Sequence, residues 1–192
     1  MTEKEKMLAG ELYDCGDPEL MELWHKGKNL ARAYNQLDYA DKAGQRRILE
    51  ALLGSCGENL QITAPFFVDY GCFIHFGNNC EVNMNCVFLD CNEIRLGDNT
   101  LIGPGVHVYT VFHPLRAEER FHVHRSGGFP FAIGLTAPVS IGNGVWIGGN
   151  CTIMPGVSIG DNVTIGAGSM VTKSLPSNVL ALGSPCRVVR EL

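Results

Sequence analysis

An aliphatic residue recurs at every sixth position through the second half of this chain. The series consists of Ile141, Ile147, Ile153, Ile159, Ile165 and Val171. Small or β-branched residues lie four positions after the first five of these, namely Val145, Cys151, Val157, Val163 and Ser169. A period of six is typical of a short strand followed by a turn, so that three repeats close one triangular coil and the coils stack in parallel. We therefore expect a mainly β fold, a parallel β-helix with its core inside the coils.

The same period occurs earlier in the chain, with one interruption. Its members are Phe76, Val82, Phe88, Leu96, Ile102 and Val108. The step from Phe88 to Leu96 is longer than the others, which predicts an enlarged corner at this point. Between Val108 and Val139 the rhythm lapses altogether. An interruption of this length in a compact solenoid predicts a protruding functional loop, residues 109–138.

The two ends of the chain lack this period. Asp17 followed by Pro18 has the form of a helix N-cap with proline at the first helical position, and a second helix is predicted over residues 41–53. The composition then shifts towards Val, Ile, Asn and Gly. Because a solenoid needs caps at its ends, we divide the chain into an N-terminal helical extension (1–58), a β-helix (59–175) and a C-terminal cap segment (176–192).

Charge and composition exclude several classes of function. With 15 Lys and Arg against 20 Asp and Glu, the net charge is -5, so we expect no nucleic-acid partner. The charged residues 1–6 lack the apolar core of a signal peptide, and no run of about 18 apolar residues occurs, which predicts no membrane association and a cytoplasmic location. The eight cysteines, none of them in a CxxC pair, are then expected to be reduced thiols.

Several segments of the chain match the pattern of one family. They are residues 6–13 (KMLAGELY), 83–86 (NMNC), 89–90 (LD), 113–115 (HPL), 145–149 (VWIGG), 166–169 (GAGS), 171–173 (VTK) and 183–187 (GSPCR). On these segments the sequence resembles the hexapeptide-repeat acyltransferases, specifically their maltose and galactoside O-acetyltransferase branch, nearly from end to end. The resemblance implies a left-handed β-helix and a homotrimer with active sites between subunits. It also implies transfer of an acetyl group from acetyl-CoA to a hydroxyl of a sugar such as maltose, glucose or a galactoside, with no metal.

His113 is the candidate catalytic base. It stands before Pro114, near the start of the predicted loop. Attack of a hydroxyl on a thioester needs a group that removes the hydroxyl proton, and a neutral histidine titrates in the right range. The resemblance gives the matching histidine this role. The alternative is a solvated loop histidine without a catalytic function.

Five residues are candidates for contact with the acceptor. The resemblance implies such a contact for Asn83, whose amide could both donate to and accept from sugar hydroxyls. Asn85 is expected to point outward on the same strand face, although an asparagine ladder or a turn would also explain either residue. Asp69 matches another acceptor contact. Asp14 and Asp17 could reach the acceptor from the N-terminal extension, although Asp17 is equally an N-cap.

For the donor, the resemblance places the pantetheine arm of acetyl-CoA along the solenoid beside backbone groups of Gly149 and Ala167, where small side chains permit close approach. Gly149 is also a candidate catalytic residue, because its N–H could stabilise the oxyanion of the reaction. Four further residues match positions near the nucleotide end, where cations would meet phosphates, namely Thr172, Lys173, Arg187 and Arg190. Trp146 matches an aromatic residue beside the CoA channel, or it packs at a subunit contact.

Other interpretations of the solenoid remain open. It could be a non-catalytic assembly scaffold. It could also be a zinc enzyme like the carbonic anhydrases that share this repeat, for which three imidazoles would have to converge. The histidines that raise this alternative are His75, His107, His122 and His124, and none has a familiar motif spacing.

Covalent catalysis by cysteine is disfavoured. Cys80, Cys86 and Cys151 fall in the small inward positions of the repeat, where a buried thiol is a poor nucleophile. The chain also departs from the family by an insertion at residues 121–137, beside the predicted acceptor pocket. This insertion leaves the identity of the sugar open.

Overall fold

The computed structural model describes residues 1–121 and 133–192. Its helices are α1 (Glu3–Ala9), α2 (Pro18–Asn35) and α3 (Lys42–Leu52), with a short 3-10 helix at Ala117–Glu119. The strands are, in chain order, β1 (Tyr13–Asp14), β2 (Gln61–Ile62), β3 (Phe66–Val68), β4 (Ile74–Phe76), β5 (Glu81–Val82), β6 (Cys86–Leu89), β7 (Ile94–Leu96), β8 (Leu101–Ile102), β9 (His107–Tyr109), β10 (Val111–Phe112), β11 (Ile133–Thr136), β12 (Val139–Ile141), β13 (Trp146–Ile147), β14 (Thr152–Ile153), β15 (Ser158–Ile159), β16 (Thr164–Ile165), β17 (Met170–Val171), β18 (Val179–Gly183) and β19 (Cys186–Glu191).

Three parallel sheets form the sides of a prism. Sheet I contains β2, β5, β8, β13, β16 and β18; sheet II contains β3, β6, β9, β14 and β17; sheet III contains β4, β7, β12 and β15. The chain passes through sheets I, II and III in turn, and each coil stacks on the previous one. The predicted fold class, a β-helix with an N-terminal helical extension and a protruding loop, is confirmed.

The core lies inside the prism and is built from the residues of the sixfold series. Ile147, Ile153 and Ile165 are almost completely buried, and burial of each such side chain stabilises the fold by about 2 kcal/mol. The small positions behave as predicted, since Cys80, Cys86 and Cys151 are buried free thiols. The hydrophobic period therefore determined which residues point inward.

The coils shorten along the prism. Paired residues are 20 positions apart in the early coils, 18 apart between β12 and β15, and 16 apart between β16 and β18. The additional residues lie at the corner between sheets II and III, in the segment 90–93 that joins β6 to β7. This confirms the predicted enlarged corner. In the third coil the chain leaves the same corner after β9 and returns to sheet III at β12, so the protruding loop is a longer insertion at the same place.

Helices α2 and α3 pack on the first coil. The Asp17 side chain accepts the Glu19 N–H at 3.0 Å, so the predicted N-cap is confirmed, and Asp41 caps α3 by accepting the Gly44 N–H at 2.8 Å. The buried faces of both helices join the core of the prism through Ala31, Tyr34, Leu49 and Leu52. At the other end, β18 turns back into β19 as an antiparallel hairpin. Among the helices of the described ranges, none is long and apolar enough to cross a membrane.

The protruding loop is attached to the N-terminal segment, which the sequence did not predict. Strand β10 pairs antiparallel with β11, and β11 pairs antiparallel with β1. A three-stranded sheet therefore joins residues 13–14 to both ends of the loop. Of the predicted insertion at 121–137, residues 122–132 lie outside the described residues, and His122 and His124 are among them.

Candidate functional site

A cleft of about 240 Å³ lies at the corner between sheets II and III, where α2, β1 and the protruding loop meet. It brings together His113 and Asp69, two of the residues predicted from the sequence. The other lining residues are mostly apolar, namely Tyr13, Cys15, Met21, Trp24, Tyr70, Leu89, Cys91 and Val111. A mostly apolar cleft with a few convergent polar groups is the usual form of a small-molecule site.

The imidazole of His113 has a defined orientation. Its Nδ1 lies 2.8 Å from the carbonyl oxygen of Ile133. Because a carbonyl oxygen only accepts hydrogen bonds, Nδ1 of the neutral ring carries the proton and Nε2 keeps its lone pair. His113 therefore presents Nε2 as a base, which is the atom that general-base catalysis requires.

The position of His113 depends on the base of the loop, which one buried residue holds together. Asn92, in the enlarged corner of the second coil, donates its backbone N–H to Thr110 Oγ1 and its Nδ2 to Thr136 Oγ1, both at 2.9 Å. Thr110 directly precedes β10, and Thr136 is the last residue of β11. Asn92 thus fixes both strands that bring His113 to Ile133.

Asp69 also lines the cleft and is paired with a lysine from α2. Lys28 Nζ lies 3.0 Å from Asp69 Oδ1, donates to the Val68 carbonyl at 2.5 Å, and sits 5.1 Å from the centroid of the Trp24 ring. Trp24 and Lys28 are one turn apart on the same face of α2. The ion pair compensates the charge of Asp69 and fixes its carboxylate at the edge of the cleft.

The wall that carries Asp69 is supported from behind by a second carboxylate. Asp90 is completely buried in the enlarged corner. It accepts the backbone N–H groups of Asp69 at 3.1 Å, Tyr70 at 2.9 Å and Phe73 at 3.2 Å. Burial raises the pKa of Asp90 to about 7, although hydrogen bonds from Gly71 and Tyr70 act in the opposite direction. Asp90 therefore shapes the turn that presents Asp69 and Tyr70 to the cleft.

The remaining titratable groups of the cleft stay protonated at neutral pH. Burial raises the pKa of the phenols of Tyr13 and Tyr70 and of the thiols of Cys15 and Cys91. The Cys91 thiol also donates to Asp69 Oδ2 at 3.5 Å. A protonated thiol is a poor nucleophile, which again disfavours covalent catalysis by cysteine.

Asp14 and Asp17 both have structural contacts in the N-terminal segment. Asp14 is buried in β1, where its Oδ1 accepts the Gly16 N–H and its own N–H donates to Glu3 Oε2, both at 2.7 Å. Asp17 caps α2. Their contact with an acceptor stays a prediction.

Asn83 and Asn85 lie at a different corner, between sheets I and II. They follow β5 in a turn, which corrects the expectation that both lie on one strand face. Asn85 has a φ of 63°, a left-handed conformation that asparagine tolerates, and Asn83 Oδ1 accepts the Met84 N–H at 2.8 Å. The turn interpretation accounts for Asn85, and acceptor contact by either residue stays a prediction.

Gly149 and Ala167 stack on this same corner in later coils. The carbonyls of Met84, Pro104 and Gly149 each accept an N–H from the next coil, at 2.9, 2.8 and 2.9 Å, so these residues occupy equivalent places in the stack. Ala167 lies 18 positions after Gly149. Asn143 and Asp161, which stack in neighbouring coils, have the same spacing. Side-chain bulk along this column of the prism therefore falls from Met and Pro to Gly and Ala.

The polar residues predicted for the nucleotide lie towards the C-terminal end. Thr172 and Lys173 are exposed directly after β17, and Arg187 and Arg190 are exposed on β19. Trp146 is 55% exposed on the outer face of sheet I. These placements leave all five side chains accessible, and their role in binding CoA stays a prediction.

The two described histidines considered for zinc, His75 and His107, do not converge. His75 Nδ1 lies 3.4 Å from Ser55 Oγ on sheet III, whereas His107 Nδ1 lies 2.5 Å from the Tyr109 hydroxyl on sheet II. Across residues 1–121 and 133–192, no three His, Cys, Asp or Glu side chains are grouped so as to hold a metal ion. The zinc interpretation of His122 and His124 concerns residues outside these ranges.

Sequence reasoning missed Trp24, Lys28, Tyr70 and Asp90 as parts of the site. A signal for Asp90 existed in the longer step between Phe88 and Leu96, because a polar residue in an inserted corner needs partners there. Trp24 and Lys28 gave no such signal, since their spacing is also that of an ordinary amphipathic helix.

Comparison with family models finds two matches. Residues 6–57 match the maltose acetyltransferase hexapeptide capping motif, which covers α1 to α3. Residues 138–173 match the bacterial transferase hexapeptide, a model of six repeats. The first match contains Trp24 and Lys28, and the second contains Gly149 and Ala167.

Comparison with individual proteins gives matches over the full chain. The galactoside O-acetyltransferase of Escherichia coli is 37% identical over 192 residues, which are 100% of this chain and 90% of the relative. The crystal structure of a maltose O-acetyltransferase from Clostridium difficile has a TM-score of 0.92 and 42% identity, covering 100% of this chain and 98% of that one. A galactoside acetyltransferase in complex with coenzyme A has a TM-score of 0.89 and 37% identity, covering 100% of this chain and 91% of that one.

Proposed function

Because this chain belongs to the maltose and galactoside O-acetyltransferase family of hexapeptide-repeat acyltransferases, we propose that it transfers the acetyl group of acetyl-CoA to a hydroxyl of a sugar, with maltose, glucose and galactosides as the acceptors to test. The observation that carries this proposal is the orientation of His113. Its Nδ1 is committed to the Ile133 carbonyl, and its Nε2 is left as a base beside the cleft that Asp69 also lines. The full-length similarity to two sugar acetyltransferases supports the same activity.

The reaction proceeds by direct attack within a ternary complex. His113 Nε2 takes the proton from the acceptor hydroxyl while that oxygen bonds to the thioester carbon. The tetrahedral intermediate then collapses, the carbon–sulfur bond breaks, and the CoA thiolate takes the proton from the imidazolium. The Ile133 carbonyl keeps the ring in one orientation throughout, because Nδ1 donates to it both before and after Nε2 takes the proton.

The donor lies along the corner between sheets I and II. The small side chains of Gly149 and Ala167 leave room for the pantetheine arm, and the Gly149 N–H stabilises the oxyanion. Lys173, Arg187 and Arg190 bind the phosphates of the nucleotide end with Thr172, because charged donors form strong hydrogen bonds with phosphate oxygens. Trp146 borders the same channel.

A homotrimer supplies the complete site. Within one chain, His113 and Asp69 lie at the corner between sheets II and III, whereas Asn83 and Gly149 lie at the corner between sheets I and II. A site that uses both sets of residues forms where the corner between sheets II and III of one subunit meets the corner between sheets I and II of another. The eight free cysteines agree with a cytoplasmic location.

The first test replaces His113 with alanine and measures CoA release with a panel of mono- and disaccharides. We expect turnover to fall about 10² to 10⁴-fold, because general-base catalysis contributes that much. The dissociation constant for acetyl-CoA should stay the same, because the donor lies elsewhere on the subunit. His75→Ala is the matched control and should retain full turnover, since His75 lies on sheet III.

Two outcomes would contradict the proposal. Near-normal turnover of the His113→Ala variant would remove the assigned base. Failure of the wild-type protein to bind acetyl-CoA would favour a non-catalytic scaffold.

A further inference from the structure

A second groove, of about 280 Å³, lies between α2 and β3, directly beside the cleft that contains His113. Its lining includes Lys28, Arg32, Asn35, Gln36, Phe67 and Val68. Apart from Lys28, which pairs with Asp69, none of these residues takes part in the proposed acetyl transfer. The groove is therefore a space that the mechanism leaves unexplained.

The Lys28 side chain lies between the cleft and this groove. It lines the groove, and its ammonium group is paired with Asp69 and sits over Trp24, which both line the cleft. Its Nζ also donates to the Val68 carbonyl, at the floor of the groove. The two spaces thus share one edge, formed by a single flexible side chain.

Helix α2 is held against the first coil at both ends of the groove. Near Asp69, Gly27 packs so closely against the Tyr70 carbonyl that a Cβ at this position would collide with it. At the far end, Asn35 donates Nδ2 to the Phe66 carbonyl and accepts the Phe66 N–H, both at 2.9 Å. These contacts preform the space between them, which lowers the entropic cost of binding a ligand there.

The chemistry of the groove suits a sugar ring. The Phe67 ring is 47% exposed and gives an apolar platform for the C–H face of a pyranose, while Arg32 and Gln36 are exposed and carry hydrogen-bond donors for its hydroxyls. Each of the two spaces is smaller than the roughly 300 Å³ at which small-molecule sites usually begin, whereas together they exceed it. A two-ring ligand would fill both.

We propose that this groove is a second acceptor subsite, which binds the second ring of a disaccharide while the first ring lies in the cleft beside His113. The inference rests on the proposed sugar acetyltransferase function and extends it, since it makes a disaccharide the preferred acceptor. Lys28 lies between the two rings and can donate to the glycosidic region.

The test compares kcat/KM for glucose with maltose and for galactose with lactose, at saturating acetyl-CoA. The wild-type protein should prefer the disaccharide of at least one pair. Phe67→Ala and Arg32→Ala should each lower kcat/KM for that disaccharide about 10-fold, because a ring contact or a charged hydrogen bond is worth about that factor. The value for the monosaccharide should be unchanged. Phe67→Tyr keeps the ring and should keep the preference. Arg47→Ala removes an exposed arginine from α3 and is the matched control.

The remaining outcomes overturn the subsite. Equal effects of Phe67→Ala on both sugars, or no effect, would show that the groove does not bind the second ring. Transfer to monosaccharides alone would do the same while the proposed function stands, whereas transfer to no sugar would remove both. A change in oligomeric state of the Phe67→Ala variant, measured by light scattering, would show that the groove is instead a subunit contact.

Discussion

At the scale of single residues, the most unusual feature of the site is the buried carboxylic acid of Asp90. It does not line the cleft, but three backbone N–H groups of the turn that carries Asp69 and Tyr70 converge on it. Burial raises its pKa to about 7, compared with about 3.9 in an unfolded chain. Asp90 therefore holds the backbone of the cleft wall that carries Asp69, and it links the stability of this wall to pH.

The sign of this linkage follows from the raised pKa. Between about pH 4 and pH 7 the folded protein keeps a proton on Asp90 that the unfolded chain releases, so the contribution of Asp90 to stability is complete below pH 4 and is lost as the pH rises through 7. We expect the difference in free energy of unfolding, wild type minus Asp90→Asn, to decrease between pH 5 and pH 7.5. Urea denaturation at a fixed protein concentration measures it. A difference that grows with pH would mean that Asp90 is ionised in the folded state.

Residues of the site differ in how far the sequence could predict them. His113 was predictable because a histidine before proline interrupts a regular repeat, and Asp69 because it matches a family pattern. Trp24 and Lys28 were not, because they enter the site only when α2 crosses the first coil, and this crossing depends on tertiary contacts such as Gly27 against Tyr70. For Asn85 the sequence left an acceptor contact and a turn as alternatives, and the structure shows a left-handed turn.

At the scale of elements, all the lengthened connections described above lie at the corner between sheets II and III. It contains the turn at Asp69, the turn at Asp90 and the protruding loop, in three successive coils. Asn92 ties the second of these coils to the third, since it holds Thr110 and Thr136 at the base of the loop. Its Nδ2 also contacts the carbonyls of Met7 and Leu8, at 3.3 and 3.2 Å, so α1 belongs to the same assembly.

Removal of the Asn92 side chain should weaken the attachment of the base of the loop to the second coil and to α1. In Asn92→Ala the donor to Thr136 is lost, β11 is held less firmly, and the Ile133 carbonyl no longer orients His113. We expect kcat to fall roughly 10-fold or more, because small displacements of a catalytic group are costly, with little change in acetyl-CoA affinity. Steady-state kinetics and calorimetric titration measure the two effects. Asn78→Ala, at the corner between sheets III and I, is the control. Equal losses in both variants would contradict the special role of Asn92.

The elements themselves were predictable to different degrees. The sixfold period predicted the strands of the prism, because one inward side chain per short strand is enough to locate that strand in its coil. The pairing of β1 with β11 could not be foreseen, because strands of two and four residues have no measurable period and their partners are far apart in sequence.

At the scale of the whole molecule, the outer faces of the three sheets differ in polarity. Sheet III presents His75, Arg95, Ser140 and Ser158 along one row. Sheets I and II instead carry exposed Leu101, Trp146 and Met170 on their outer faces. This asymmetry agrees with the proposed trimer, in which sheets I and II lie near the subunit contacts and sheet III faces solvent.

The central claim is that one subunit supplies His113 and another supplies Asn83 and Gly149 to the same active site. It is tested most directly by mixing two inactive variants, His113→Ala and Asn83→Ala, through co-expression with different affinity tags. If the site lies between subunits of a trimer, mixed trimers isolated through both tags carry both residues in one of their three sites, and acetyl transfer returns to about a third of the wild-type rate. If each chain carries its own complete site, the purified mixture stays as inactive as either variant alone, and the account is contradicted.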